Sequence, residues 1–217
     1  MSETRTTKMK LAFLLLIAFV PITLASFAYR AATDAGMFSG ETVNNGILIN
    51  PPVDISEFAL EDEQNDEVFL TFDERIADIP DPDDYETAPW LILYVNNGSC
   101  GDSCRERVHL LRQMHVTLNK NMPRVRRYYV QSNMNAVDEA LATHFREEFP
   151  SMGIVQGEAD KIAAALAPRQ INLDPNAQDI VFFVDPVGNV MMYYTDEHEV
   201  ADIKEDLVRL LRLSSLG

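Results

Sequence analysis

The chain has 217 residues, with 18 basic against 34 acidic side chains and a formal net charge of −16. That balance excludes a nucleic-acid-binding domain, which needs basic stripes. It fits a domain kept soluble in a salty medium, with attraction of a basic partner as the second reading.

Residues 11–29 carry no charge, and Leu, Ile, Phe, Val and Ala dominate them. As a helix this run would be roughly 28 Å long, close to the hydrocarbon core of a bilayer. Arg5, Lys8 and Lys10 precede it, whereas Arg30 is the only base after it before Asp34 and Glu41. The asymmetry predicts a single transmembrane helix with its N-terminus in the cytoplasm. The alternative is a cleaved signal peptide, with residues 11–20 as its apolar core, Pro21 as breaker and Thr23-Leu24-Ala25 as a poor cleavage site. The apolar run continues past Ala25 and favours the anchor. Both readings export the remainder, which in a Gram-negative cell means the periplasmic face of the inner membrane. The expected organisation is a cytoplasmic segment 1–10, an anchor 11–29, a linker 30–43 and one domain over 44–217. Residues 31–217 hold 14 bases against 33 acids, a net charge of −19.

Residues 44–72 predict an N-terminal strand or hairpin. Acids gather at 61–67 and at 73–86, and Pro80 and Pro82 lie inside the second run, so this region reads as an exposed acidic loop. Its spacing lacks the alternating ligands and central Gly of a calcium loop. Trp90 to Val95 is a continuous apolar run, the pattern of a strand covered on both faces. A helical pattern runs from Ser103 to about 121–123, with Ser103 as its expected cap. Residues 125–131 read as a strand and 136–149 as a helix closed by Pro150. A short strand at 153–155 and a helix over 158–166 follow. Strands at 180–184 and 190–194 flank Asp185-Pro186-Val187-Gly188-Asn189, a hairpin signal. A last helix over about 199–213 puts Ile203, Leu207, Leu210 and Leu211 on one face. This order predicts an α/β, thioredoxin-like domain, a central mixed sheet flanked by helices, behind the N-terminal transmembrane helix.

Cys100 and Cys104 are the only cysteines, and they fall between the first strong strand and its helix. There two thiols sit close together at the positive end of a helix dipole, where thiolates are stabilised. The pair suits a redox-active disulfide or a soft metal; an inert cross-link is the bland alternative. Closing a loop of about five residues contributes only ~2 kcal/mol in the chain-entropy account. With one Trp, 11 Phe and 7 Tyr, the chain has apolar mass for a core without it. In exchange chemistry Cys100, the more N-terminal and exposed thiol, attacks, and Cys104 resolves the mixed disulfide. Arg124, Arg126 and Arg127 read as a solvated strand edge or a contact for lipid phosphates, and the four histidines as ordinary polar residues.

The segment Leu93-Tyr94-Val95-Asn96-Asn97-Gly98-Ser99-Cys100-Gly101-Asp102-Ser103-Cys104 resembles the strand and C-x-x-x-C segment of the Sco/SenC copper chaperones of cytochrome c oxidase. Residues 153–162 and 180–194 are similar to later segments of that family. The resemblance implies a membrane-anchored periplasmic assembly protein, with cytochrome c oxidase subunits or their assembly factors as partners, Cys100 and Cys104 as its reactive residues and copper as a possible cargo. It also implies a copper-binding His just before the strand at 180–184. Ala177-Gln178-Asp179 stands there instead, so the chain matches a subgroup without that ligand. Two thiolates alone suit Cu(I) but leave Cu(II) short of nitrogen. A general membrane-tethered thiol-disulfide oxidoreductase and a non-catalytic binding module remain as alternatives.

Overall fold

A strand whose side chains are apolar on both faces needs a covering layer on each side of its sheet, and residues 90–96 impose that demand on everything around them. The computed structural model describes residues 3–34, 43–71, 88–97, 100–132 and 139–214, leaving out the side chains at 3–9, 11, 12, 14, 18 and 32–34. The linker segment 35–42, the acidic run 73–86 and the first residues of the helix expected from 136 lie outside this description. The chain divides into two units, 1–43 and 44–217.

The first unit contains helix α1 (Glu3–Asp34), which carries the uncharged run and has Pro21 inside it. At 1.5 Å per residue its 32 residues extend about 48 Å. Phe13, Leu16, Phe19, Ile22, Leu24 and Phe27 are all exposed. Among the residues whose side chains are described, no helix is long and apolar enough to cross a membrane.

The second unit is built on one six-stranded mixed sheet of order β1-β6-β5-β2-β3-β4. Its strands are β1 (Ile47–Asp54), β2 (Trp90–Asn96), β3 (Val125–Ser132), β4 (Met152–Gly157), β5 (Ile180–Val184) and β6 (Asn189–Tyr194). In the centre β2 runs parallel to β3, from Trp90 opposite Val125 to Asn96 opposite Gln131. On its other side it runs antiparallel to β5, with Leu91 opposite Val184 and Val95 opposite Ile180. That central position explains the unbroken apolar run. The N-terminal strand β1 pairs antiparallel with β6.

Alternation along β2 sorts the core into two halves. Trp90, Ile92 and Tyr94 face helices α2 (Asp102–Val116), α3 (Glu139–Glu148) and α5 (Val200–Leu213), meeting Val108, Leu111, Phe145, Ile203 and Leu207. Leu93 and Val95 face the opposite layer, where helix α4 (Ala159–Leu166) supplies Ile162 and Leu166 and the 3-10 turn after β1 supplies Ile55 and Phe58. The β5–β6 turn closes as its residues require. Asp185 Oδ1 accepts from the Val187 and Asn189 N–H groups at 3.0 and 2.8 Å, and Gly188 takes φ +89°.

Three sequence expectations change. The helix after the cysteines ends at Val116, and residues 119–124 form a separate 3-10 turn that starts at Asn119 with φ +50°. Ser103 does not cap that helix; Gly101 is its N-cap, with no side-chain hydrogen bond. Arg127 does not lie on a solvated edge, because β3 is an interior strand between β2 and β4. Only 3% of Arg127 is exposed.

Candidate functional site

The chain leaves β2 at Asn96 and re-enters regular structure at Asp102, so Cys100 sits in the crossover and Cys104 in the first turn of α2. Those placements bring the two Cα atoms to 5.2 Å, and the sulfurs are joined in a disulfide. A Cα separation of this size lies well inside the reach of such a bond. With no side chain capping α2, its first N–H groups remain available at this end of the helix.

Burial differs from expectation. Cys100 is 6% exposed and Cys104 1%, and both pack in the apolar cluster on the helical face. Cys100 is therefore the more accessible sulfur, as its position predicts, but it is not an exposed residue. Tyr94 from the end of β2 and Val108 and Leu111 from α2 belong to the same cluster.

The residues before β5, where the resemblance implies an imidazole, hold a carboxylate with a role of its own. Tyr94 donates its hydroxyl to Asp179 Oδ2 at 2.5 Å, and Asn96 Nδ2 donates to Asp179 Oδ1 at 2.7 Å. Tyr129 in turn donates to Asn96 Oδ1 at 3.0 Å, and Ser132 donates to the Asn96 carbonyl at 3.0 Å. Burial, followed by the Asp179 hydrogen bond and charge, pushes the Tyr94 hydroxyl well above the ordinary tyrosine range. It therefore acts as a donor at any physiological pH. Asp196 has its carboxyl raised, first by burial and then by the Asp179 charge, with Arg107 opposing. Arg107 on α2 holds the far side, donating to the His198 carbonyl at 2.9 Å.

The four histidines are engaged elsewhere. His109 is hydrogen-bonded to Gln113, and His115 Nε2 lies 3.0 and 2.9 Å from the carbonyls of Met122 and Val125. His144 packs on Phe145 and Phe149. His198 Nδ1 accepts from the Thr195 N–H at 3.1 Å. Among the described residues no group of three His, Cys, Asp or Glu is arranged to hold a metal. The implied copper(II) centre does not fit this donor set. Both Asp179 oxygens are already engaged, and a hard carboxylate stands where a nitrogen ligand is needed. Met192 is buried, with its sulfur 2.9 Å from the Tyr194 hydroxyl oxygen.

Sequence reasoning found the cysteine pair and marked position 179 as anomalous, but it missed the Tyr94–Asn96–Asp179 cluster. The signal was slight: a Tyr and an Asn at the end of an otherwise apolar strand.

A family model described as "Transmembrane-like, thioredoxin-like, C-terminal domain" matches residues 90–214, more than half of the chain. No curated protein matches the chain. Solved Sco structures share its fold. BsSco, a member of the Sco family of cytochrome c oxidase assembly proteins in which a disulfide switch was identified, is 14% identical, with 79% of this chain and 99% of that one covered and a TM-score of 0.51. Yeast Sco1 is 16% identical, with 82% and 100% covered and a TM-score of 0.50. A thiol:disulfide interchange protein from Bacteroides sp. is 14% identical over 78% and 91%, with a TM-score of 0.45. The likeness to Sco structures that residues 93–104, 153–162 and 180–194 suggest is present at the level of the fold, as is the expected thioredoxin-like mixed sheet.

Proposed function

The chain belongs to the family of transmembrane-like, thioredoxin-like C-terminal domains, and we propose that it is a membrane-anchored periplasmic protein assisting cytochrome c oxidase assembly by thiol-disulfide exchange. The observation that carries this reading is the disulfide between Cys100 and Cys104 at the β2–α2 crossover. The Sco-like fold supports the partner class, and the uncharged run in α1 supports the anchor, with residues 1–10 cytoplasmic and 44–217 periplasmic.

In the exchange, the reduced Cys100 thiolate attacks one sulfur of a partner disulfide and forms a mixed disulfide, while the partner's other sulfur leaves as a thiolate. Cys104, as its thiolate, then attacks Cys100 Sγ and releases the second partner thiolate. Two electrons pass to the partner, and the 100–104 disulfide returns. A dithiol reductant on the same side of the membrane restores the starting state. The hydrogen-bonded Tyr94–Asn96–Asp179 cluster fixes the end of β2 from which the crossover starts. Copper is not required by this sequence of steps; the reduced pair would be the donor set for Cu(I) cargo.

One trapping experiment separates this reading from its alternatives. The full chain carrying Cys104→Ser keeps the attacking sulfur and lacks the resolving one, so mixed disulfides accumulate in the source cell. The expected product is a reductant-sensitive adduct with an oxidase subunit or one of its assembly factors, absent from the Cys100→Ser variant. Adducts with many unrelated exported proteins would instead mark a general oxidoreductase. No adduct at all would leave a binding module with an inert cross-link. The anchor has its own check: a phosphatase fused after Gly217 is active and a cytoplasmic fluorophore fused there is dark, and the reverse pattern overturns the topology.

A further inference from the structure

At the end of the sheet where β2, β3 and β4 begin, a buried cation has almost nothing to balance it among the described residues. Arg127 follows Val125 and precedes Tyr129 on the same face of β3, so its side chain turns inward beneath the helical layer. Its Nη2 donates to Ser151 Oγ at 2.8 Å. Nε and Nη1 are buried with no hydrogen-bond partner among the described residues. A guanidinium offers five donors in a planar fork and keeps its charge. Leaving two of its nitrogens dry and unpaired is a costly arrangement for a folded chain.

Arg127 also lines a groove of about 580 Å³. Pro123, Tyr128, Pro150 and Met152 make its apolar walls, and Arg126 stands at its exposed rim. Among the described residues no acidic side chain lines it. The remaining polar wall group, His115, has its ring nitrogen against two carbonyls. Burial and then the Arg127 charge lower its pKa, so it adds no second charge at neutral pH. The groove therefore combines an unbalanced buried cation, a basic rim and apolar walls.

We propose that this groove is a binding site for a small organic anion, a carboxylate or phosphate oxyanion attached to an apolar body. One anion oxygen displaces the Ser151 hydroxyl from Nη2 and a second takes Nη1, giving the two parallel bonds that a guanidinium fork makes with an oxyanion. The apolar body lies along Pro123, Pro150 and Met152. The site is at the opposite end of β2 from the disulfide and does not depend on the exchange chemistry.

The test uses the full chain in nonionic detergent, titrated with phenyl phosphate, benzoate, inorganic phosphate and, as the neutral control, benzyl alcohol. Binding is read by calorimetry and by the Arg127 Nε–H resonance. Phenyl phosphate and benzoate are expected to bind saturably and to shift that resonance, while benzyl alcohol does neither. Inorganic phosphate should bind about tenfold more weakly than phenyl phosphate; equal binding would overturn the apolar part of the site. Arg127→Met should weaken phenyl phosphate at least tenfold. Ser151→Ala, which leaves the buried strand untouched, should tighten it severalfold because the competing hydroxyl is gone. An unmoved Nε–H resonance at saturating phenyl phosphate overturns the proposal, as does binding that Ser151→Ala leaves unchanged or that a folded Arg127→Met variant retains.

Discussion

Among the described residues, two charges are buried on the helical side of this sheet, and they are treated in opposite ways. Asp206 on α5 is 2% exposed, and its Oδ2 accepts from the Asn45 and Gly46 N–H groups at 2.8 and 2.9 Å and from Tyr194 at 3.1 Å. Its Oδ1 pairs with Arg209 at 3.2 Å. Arg127, equally buried, has one hydroxyl. A charge withdrawn from water holds a fold together only where its hydrogen-bonding capacity is met. Asp206 meets that condition and joins the start of the domain to its last helix. Arg127 does not, and it lies beside a groove.

The largest expected effect follows from the satisfied charge. Asp206→Ala orphans two backbone donors and the Tyr194 hydroxyl, and should cost about 3 kcal/mol in urea unfolding. A loss under about 1 kcal/mol would erase the distinction between the two charges. Asp179→Ala is a second case on the satisfied side. It strips the partners of Tyr94 and Asn96 and should cost about 2 kcal/mol by the same measurement. Arg127→Met is the counterpart: removing a poorly paired buried cation while keeping its volume should leave stability within about 1 kcal/mol of the parent, in either direction. A loss as large as that of Asp206→Ala would show Arg127 to be a structural charge after all.

The smallest effect concerns pH. His115 has its folded pKa lowered below 6.5 by burial and by Arg127. Below that pH the unfolded chain takes up a proton that the folded one refuses, so this residue makes stability fall as pH drops from about 7 through 6.5 towards the folded value. His115→Gln should lose that part of the acid sensitivity in urea unfolding at pH 7.5 and 5.5. Arg127→Met should reduce it, since it removes the second cause of the shift. Equal slopes in all three proteins would rule out the coupling between the two groups.

The sequence exposes its secondary structure where one face or one period dominates. The strands at 90–96 and 180–184 announce themselves because both of their faces are buried, and α5 because Ile203, Leu207 and Leu211 recur with helical spacing. The hydrogen-bonded carboxylates stay hidden because their partners are remote. Asp206 reaches Asn45 across 161 positions and Asp179 reaches Tyr94 across 85, and no local pattern encodes either contact. Arg127 is an intermediate case. Strand alternation already places it on the face of Val125 and Tyr129, but a cluster of three arginines reads as an edge until the sheet order makes β3 internal. The cysteine pair was legible from its place between strand and helix; its burial was not, because enclosure at the sheet's end depends on helices drawn from elsewhere in the chain.

Both margins of the sheet are blunted in part by the chain itself. On β4, Gln156 exchanges backbone hydrogen bonds with Glu61 at 2.9 and 2.8 Å. On β1, Pro51 and Pro52 bring no N–H, and their carbonyls accept from Arg169 at 3.3 and 3.2 Å. These features leave a neighbouring strand fewer open rungs, so edge-to-edge association through a shared ladder is disfavoured. Under the proposed exchange function, recognition of a partner would fall to side chains and loops, whose contacts break readily, and that favours release over capture.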